Sequence, residues 1–261
     1  MENKLLEGGN VFKGADKQPL TRRIKRDEIP ATIAYLEKLT GLDFTTDKDE
    51  AGVPIKWLGT TGRKTDSGDL DLSVDETQID KKTLMNALLS AGIDKSRVKM
   101  SGDSVHLMTP IRGEDSNGYA QTDFMFSPDP QWQQFSVRGG LEDSPYRGEH
   151  RHILLASIAR ARGFKYSYKN GLVDPATDTT ITKDPNKMAK DLLGQTATPK
   201  DITSVESILN YIKKLPNYEE LISAARETLG KQGMELPQKE AFESYQTGSI
   251  GWMRKLINLV S

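Results

Sequence analysis

Residues 69–74 read Asp-Leu-Asp-Leu-Ser-Val, and that strict alternation fits one regular structure. Successive side chains of a β-strand project to opposite faces. Leu70, Leu72 and Val74 therefore share one side, while Asp69 and Asp71 stand together on the other. Such a strand needs an apolar layer beneath it and further strands beside it, because alone it leaves backbone donors and acceptors unpaired. The chain is thereby bound to a sheet with one buried face and one acidic face.

The flanking sequence supplies both partners. Ile33, Leu36 and Leu39 recur at helical spacing, with Pro30 suited to a first turn and Gly41 to a stop. Segment 79–91 repeats the pattern with Leu84, Leu88 and Ala91 on one face. Short strands are expected over 55–58, 97–100, 105–109 and 119–126, with Ser101-Gly102-Asp103 as a turn. An irregular arm to about residue 28 carries Arg22, Arg23, Lys25 and Arg26, and an acidic loop spans 43–53. The pattern predicts an α/β or α+β sheet domain.

The Gly-rich stretch 135–148 reads as a hinge, giving one domain over 1–140 and a second, mainly helical, over 141–261. Helices are expected over 148–162, Pro185–Leu193, 201–214 with Asp201 as N-cap, 218–229 and 251–260, with a hairpin through 166–173. The apolar face of 251–260 (Trp252, Met253, Leu256, Ile257, Val260) is expected to dock on its own domain rather than on a membrane.

Composition removes several chemistries. There is no cysteine, which excludes disulfides, thiolate metal sites and cysteine nucleophiles. Three histidines (His106, His150, His152) are too few for a histidine-rich centre, and His150 and His152 fall on different sides of their helix. Lys and Arg number 36 against 37 Asp and Glu, a net charge of −1, so the chain lacks the global basicity of a nonspecific nucleic-acid coat. No secretory h-region and no run of membrane-spanning length is present, and a cytoplasmic location is expected.

The chemistry concentrates in Leu58–Asp75, LGTTGRKTDSGDLDLSVD. Two carboxylates side by side repel one another unless a cation lies between them, and hard divalent ions take such oxygen ligands together with phosphates. Gly59 lets backbone approach a phosphate, Thr60 offers a hydroxyl, Arg63 and Lys64 can neutralise a polyphosphate, and Gly68, after Ser67, lets the chain turn before Asp69. A strand with two solvated acids would look the same, but Asp123 lies inside the apolar strand YAQTDFMF, where an unpaired acid is costly. Further on, Arg151 shares a helical stripe with Leu155 and Ile158, which leaves open a snorkelling residue or a phosphate ligand.

GTTGRKTDSGDLDL followed by TDFMF resembles the DNA polymerase β-like nucleotidyltransferase superfamily, and Ser67-Gly68 before the first acid resembles its polymerase X branch. The resemblance covers about residues 55–126, with Thr60 where serine is usual and a turn about one residue shorter. It implies an α+β fold with a polymerase β-like palm, a mixed sheet flanked by helices, followed by a mainly helical domain. It also implies two Mg²⁺ (or Mn²⁺) ions held by Asp69, Asp71 and Asp123, and an NTP gripped by Gly59, Thr60, Arg63, Lys64, Ser67 and Gly68. A second likeness, over SPYRGEHRHILLASIARARGFKYSYKNGL, implies that Tyr146, Arg147, Glu149 and His152 lie near the nucleotide, with Arg151 as a further candidate. The chain as a whole is similar to small predicted nucleotidyltransferases of tailed phages, which would place it in the host cytoplasm.

Three acceptors are weighed. Template-independent addition to a nucleic-acid 3′ end comes first, RNA ahead of DNA, on the strength of two local basic clusters, Arg22–Arg26 in the arm and Arg147, Arg151, Arg160, Arg162, Lys165 and Lys169 around helix 148–162. Transfer to a protein or small-molecule hydroxyl, and a binding module without catalysis, are the others. A templated polymerase is disfavoured, because fewer than 60 residues precede the motif.

Overall fold

The computed structural model describes residues 10–49, 52–140, 142 and 144–231. The chain forms two compact units that meet at Glu149/His150; the sequence reading puts that boundary at 140/141. The fold is α+β with a mixed sheet.

The first unit is built on four strands in the order β3 (Asp69–Asp75), β6 (Tyr119–Ser127), β5 (Ser104–Pro110) and β4 (Val98–Ser101). β3 runs parallel to β6, and β5 runs antiparallel to both of its neighbours, β6 and β4. The apolar face carries Leu70, Leu72, Phe124, Val105 and Leu107, all fully buried. Two helices supply the layer beneath it. α1 (Ile29–Thr40) contributes Ile29, Ile33 and Leu36, and α2 (Lys81–Ser90) contributes Leu84 and Leu88. α1 starts on Pro30 and ends where Gly41 turns left-handed at φ +72°. Asp80 caps α2 by accepting from the amides of Lys82 and Thr83. The opposite face is thereby left to the acids.

Strand β1 (Ile24–Lys25) pairs with β2 (Asp66–Ser67). This anchors the N-terminal arm beside the turn that precedes β3. The arm continues along the sheet: the Arg22 amide donates to the Tyr119 carbonyl (2.8 Å) and the Val11 amide to Gln121 Oε1 (2.9 Å).

Segment 55–58 departs from expectation and is no strand. Trp57 N–H turns back onto the Pro54 carbonyl, so only isolated bonds reach β3, from Ser73 to Lys56 and from Leu58 to Asp71. A short helix, α3 (Pro130–Ser136), was also unforeseen. Asp129 caps it, Pro130 starts it, and Gln133 ties it to the sheet through Ser73 (2.5 Å) and the Met125 carbonyl (3.2 Å).

The second unit contains α4 (Gly148–Ala161), whose first turn spans the boundary, and α5 (Pro185–Leu193), α6 (Val205–Ile212) and α7 (Tyr218–Lys231). The hairpin of β7 (Lys165–Ser167) and β8 (Gly171–Val173) gains a third strand, β9 (Thr180–Thr182). Buried Leu154, Ile158, Leu172, Met188, Ile208 and Leu221 form its core. Asp201 is not the cap of a long helix. It closes a 3₁₀ turn begun at Thr198, and Ser204 caps α6 through Ser207 N–H. The expected helix 251–260 lies outside the described residues. Among the described residues no helix is long and apolar enough to cross a membrane.

Candidate functional site

Strand register assembles the site. Asp71 faces Asp123 across β3 and β6, Asp123 faces His106 across β6 and β5, and His106 faces Lys99 across β5 and β4. Residues in register project to the same face. The row Asp71–Asp123–His106–Lys99 thus crosses the whole sheet on the side away from α1 and α2. One step along, Asp69 faces Gln121. Carboxylate oxygens of Asp69, Asp71 and Asp123 all lie within 4.8 Å of one another.

Asp69 and Asp71, partly out of water and close to other acids, hold protons tightly. Burial and the Asp123 charge push Asp69 up to about 6, partly offset by Arg23. Burial, then Asp69 and Asp123, push Asp71 well above the carboxylate range. The three are braced unequally. Asp123 accepts from His106 Nδ1 (2.8 Å) on Oδ1 and from Gln121 Nε2 (3.2 Å) on Oδ2. Among the described residues no hydrogen-bond donor reaches the Asp71 carboxylate, although the Asp71 amide donates to Thr61 Oγ1 (3.0 Å).

The turn before β3 presses against the acids. Gly59 takes φ +55°, and a Cβ built there would stand 2.5 Å from Asp71 Oδ2. Its carbonyl accepts from Gly139 N–H (3.0 Å), and a Cβ on Gly139 would meet that oxygen at 2.1 Å. Both positions require glycine. Thr60 Oγ1 donates to Ser67 Oγ (3.2 Å), so those two hydroxyls sit together at the base of the turn.

The turn cations already have partners. Arg63 holds Asp49 (2.6 Å) with both side chains mostly buried, and Arg138 lies 3.9 Å from the same carboxylate. Lys64 Nζ donates to the Ser144 carbonyl (3.0 Å). Gly68 is exposed beside Arg23, which binds Asp66 (2.6 Å).

Of the residues expected near a nucleotide, Tyr146 is buried in the first unit, Arg147 is exposed and Glu149 is intermediate. Arg151 and His152 belong to the second unit. Arg151 is 3 % exposed and its Nε donates to the Ile202 carbonyl (2.9 Å), so it is a packed residue rather than a snorkelling one. The His152 ring lies 5.0 Å from that of Tyr166, and burial lowers its pKa.

Sequence reasoning passed over Gln121 and Thr61, counted His106 only among the histidines, and placed Arg23 in the basic arm rather than beside the acids. One signal was present: Val105, Leu107 and Thr109 alternate around His106, which assigns it to the opposite face. The donor set suits a hard divalent cation, being all oxygen, mutually repelling and fitted against a glycine. No protein-family model matches this chain, and no curated protein sequence matches it.

Proposed function

We propose that the protein is a metal-dependent nucleotidyltransferase with a polymerase β-like palm, transferring a nucleoside monophosphate from an NTP to an acceptor hydroxyl. One observation carries the reading: three carboxylates from neighbouring strands converge within 4.8 Å beside a turn that only glycine can make. Asp69, Asp71 and Asp123 would hold Mg²⁺ or Mn²⁺. When bound, such ions lower the pKa of a coordinated hydroxyl and stabilise the charge of a leaving pyrophosphate.

The chain's own groups bind and orient. Thr60 and Ser67 present hydroxyls to the triphosphate, and Gly59 and Gly68 allow backbone to approach it. Arg63 and Lys64 lie on the same turn, and Arg63 reaches a phosphate by exchanging Asp49 for it. The acceptor oxygen bonds to the α-phosphorus, the bond to the β-phosphate oxygen breaks, and pyrophosphate leaves. The hydroxyl proton passes to a carboxylate oxygen of the triad. Positioning and electrostatic stabilisation account for the acceleration.

A nucleic-acid 3′ end remains the first acceptor, RNA ahead of DNA. One observation favours the second reading, a protein or small-molecule hydroxyl. Arg22, Arg23 and Arg26 of the basic arm bind Glu28, Asp66 and Glu142, and Lys165 of the other cluster binds Asp178. Cations committed to internal ion pairs add little to a phosphate track.

The test is incubation with each α-³²P-labelled NTP and dNTP plus Mg²⁺ or Mn²⁺, offering RNA, DNA oligomers and lysate protein, with Asp71→Asn as control. Label on RNA or DNA supports the first acceptor, and label on protein the second. Label that persists with Asp71→Asn counts against the enzyme, and NTP binding without transfer leaves a small-molecule acceptor or a binding module.

A further inference from the structure

Asp123 is held differently from its two companions. Its Oδ1 lies 2.8 Å from His106 Nδ1, and His106 Nε2 lies 2.7 Å from Ser101 Oγ. A carboxylate accepts, so Nδ1 carries the proton, and the hydrogen bond between Nε2 and the Ser101 hydroxyl fixes the orientation of the ring. His106 is 7 % exposed and Asp123 8 % exposed, while Ser101 is exposed at the β4–β5 turn. The other oxygen of Asp123 accepts from Gln121, whose Oε1 is in turn held by the Val11 amide.

A carboxylate offers about four acceptor positions. Two are taken here by buried donors on opposite oxygens, which sets the plane of the group. Carboxylate oxygens of Asp69 and Asp71 lie within 4.8 Å of it. Among the described residues neither Asp69 nor Asp71 is gripped in this way, so Asp123 is the best braced of the three.

We infer that His106, locked by Ser101, is a positioning residue that aims Asp123 at the cation site. It acts through Asp123 and touches neither ion nor nucleotide. This rests on the reading of the three acids as a metal centre. Outer partners of metal ligands typically change affinity by about 10- to 100-fold when removed.

The experiment measures Mn²⁺ affinity by titration with electron paramagnetic resonance of the free ion, together with thermal melting in EDTA. Wild type, Asp71→Asn, His106→Asn and His106→Gln are compared. An asparagine amide nitrogen falls near the place of Nδ1, whereas that of glutamine falls near Nε2. His106→Asn should therefore hold Mn²⁺ within about threefold of wild type, and His106→Gln should lose about 10- to 100-fold at a similar melting temperature.

Equal affinities in the two His106 variants, whether both kept or both lost, overturn the positioning role while leaving the metal centre standing. Failure of wild type to bind, or unchanged binding by Asp71→Asn, overturns the metal centre itself. If His106→Gln does not fold, Ser101→Ala decides: a fall of about three- to tenfold supports the inference, and unchanged affinity overturns it.

Discussion

Gly59 and Asp71 share a space with no room for a methyl group: a Cβ on Gly59 would stand 2.5 Å from Asp71 Oδ2. The turn before β3 and the Asp71 carboxylate are thereby packed against one another.

Gly59→Ala is expected to displace Asp71. Left-handed backbone and overpacking together should cost about 1–3 kcal/mol, and Mn²⁺ affinity should fall at least about tenfold. Gly41→Ala is the comparison, because Gly41 has φ +72° but open space around it. It should lose about 1 kcal/mol and no Mn²⁺ affinity. Calorimetric titration and thermal melts separate the two.

Asp69→Asn, Asp71→Asn and Asp123→Asn should each abolish transfer without unfolding the protein. Asp71→Asn should also melt higher than wild type in EDTA, because it removes a carboxylate that burial and two neighbouring acids make unfavourable. A lower melting temperature in EDTA would contradict that account.

Metal-free stability should depend on pH through Asp69. Its folded pKa, about 6, lies above its ordinary 3.8, so the folded state binds the proton more tightly. The contribution is fully present below about 4 and is lost as pH rises through 6. After discounting for solvent it amounts to roughly 1–2 kcal/mol. Urea unfolding in EDTA between pH 4 and 7 measures it, and Asp69→Asn should flatten that slope.

Glu28 acts in the opposite direction. The Arg22 guanidinium, donating to both its oxygens, lowers its pKa from 4.5 to about 2, against the opposing effect of burial. A depressed carboxylate stabilises above its unfolded pKa, and that stability is lost as pH falls from 4.5 through 2. With Arg22 partly in water the contribution is about 1–2 kcal/mol. Glu28→Gln should melt lower at pH 7 and lose less than wild type on acidification to pH 3.

Arg63→Gln should have two effects. Asp49 loses its 2.6 Å partner while Arg138 stays at 3.9 Å, which should cost about 1–2 kcal/mol. Affinity for an NTP should also drop about tenfold or more, since one charge-assisted phosphate contact is removed. A melt and a fluorescent-NTP titration read these separately, and loss of stability with unchanged NTP affinity would make Arg63 purely structural.

Local rules carried much of the fold. The alternation at Asp69–Asp75 and the helical spacing with Pro30 and Gly41 are short-range signals, and β3 and α1 lie where those signals put them. The break at 55–58 was not legible, because the bond from Trp57 to Pro54 that ends it competes with strand pairing only in three dimensions. The Ser204 cap likewise outcompetes Asp201 once the chain has turned at Thr198.

The sequence by itself determined that Asp69 and Asp71 lie on one face of a strand, because side-chain alternation is a property of the backbone. Only the tertiary structure decided that β6 lies parallel to β3 in the register that sets Asp123 opposite Asp71, and that β5 brings His106 beside it. Register depends on how apolar faces pack against α1 and α2 across long stretches of chain, and a shift of one residue would send Asp123 into the core.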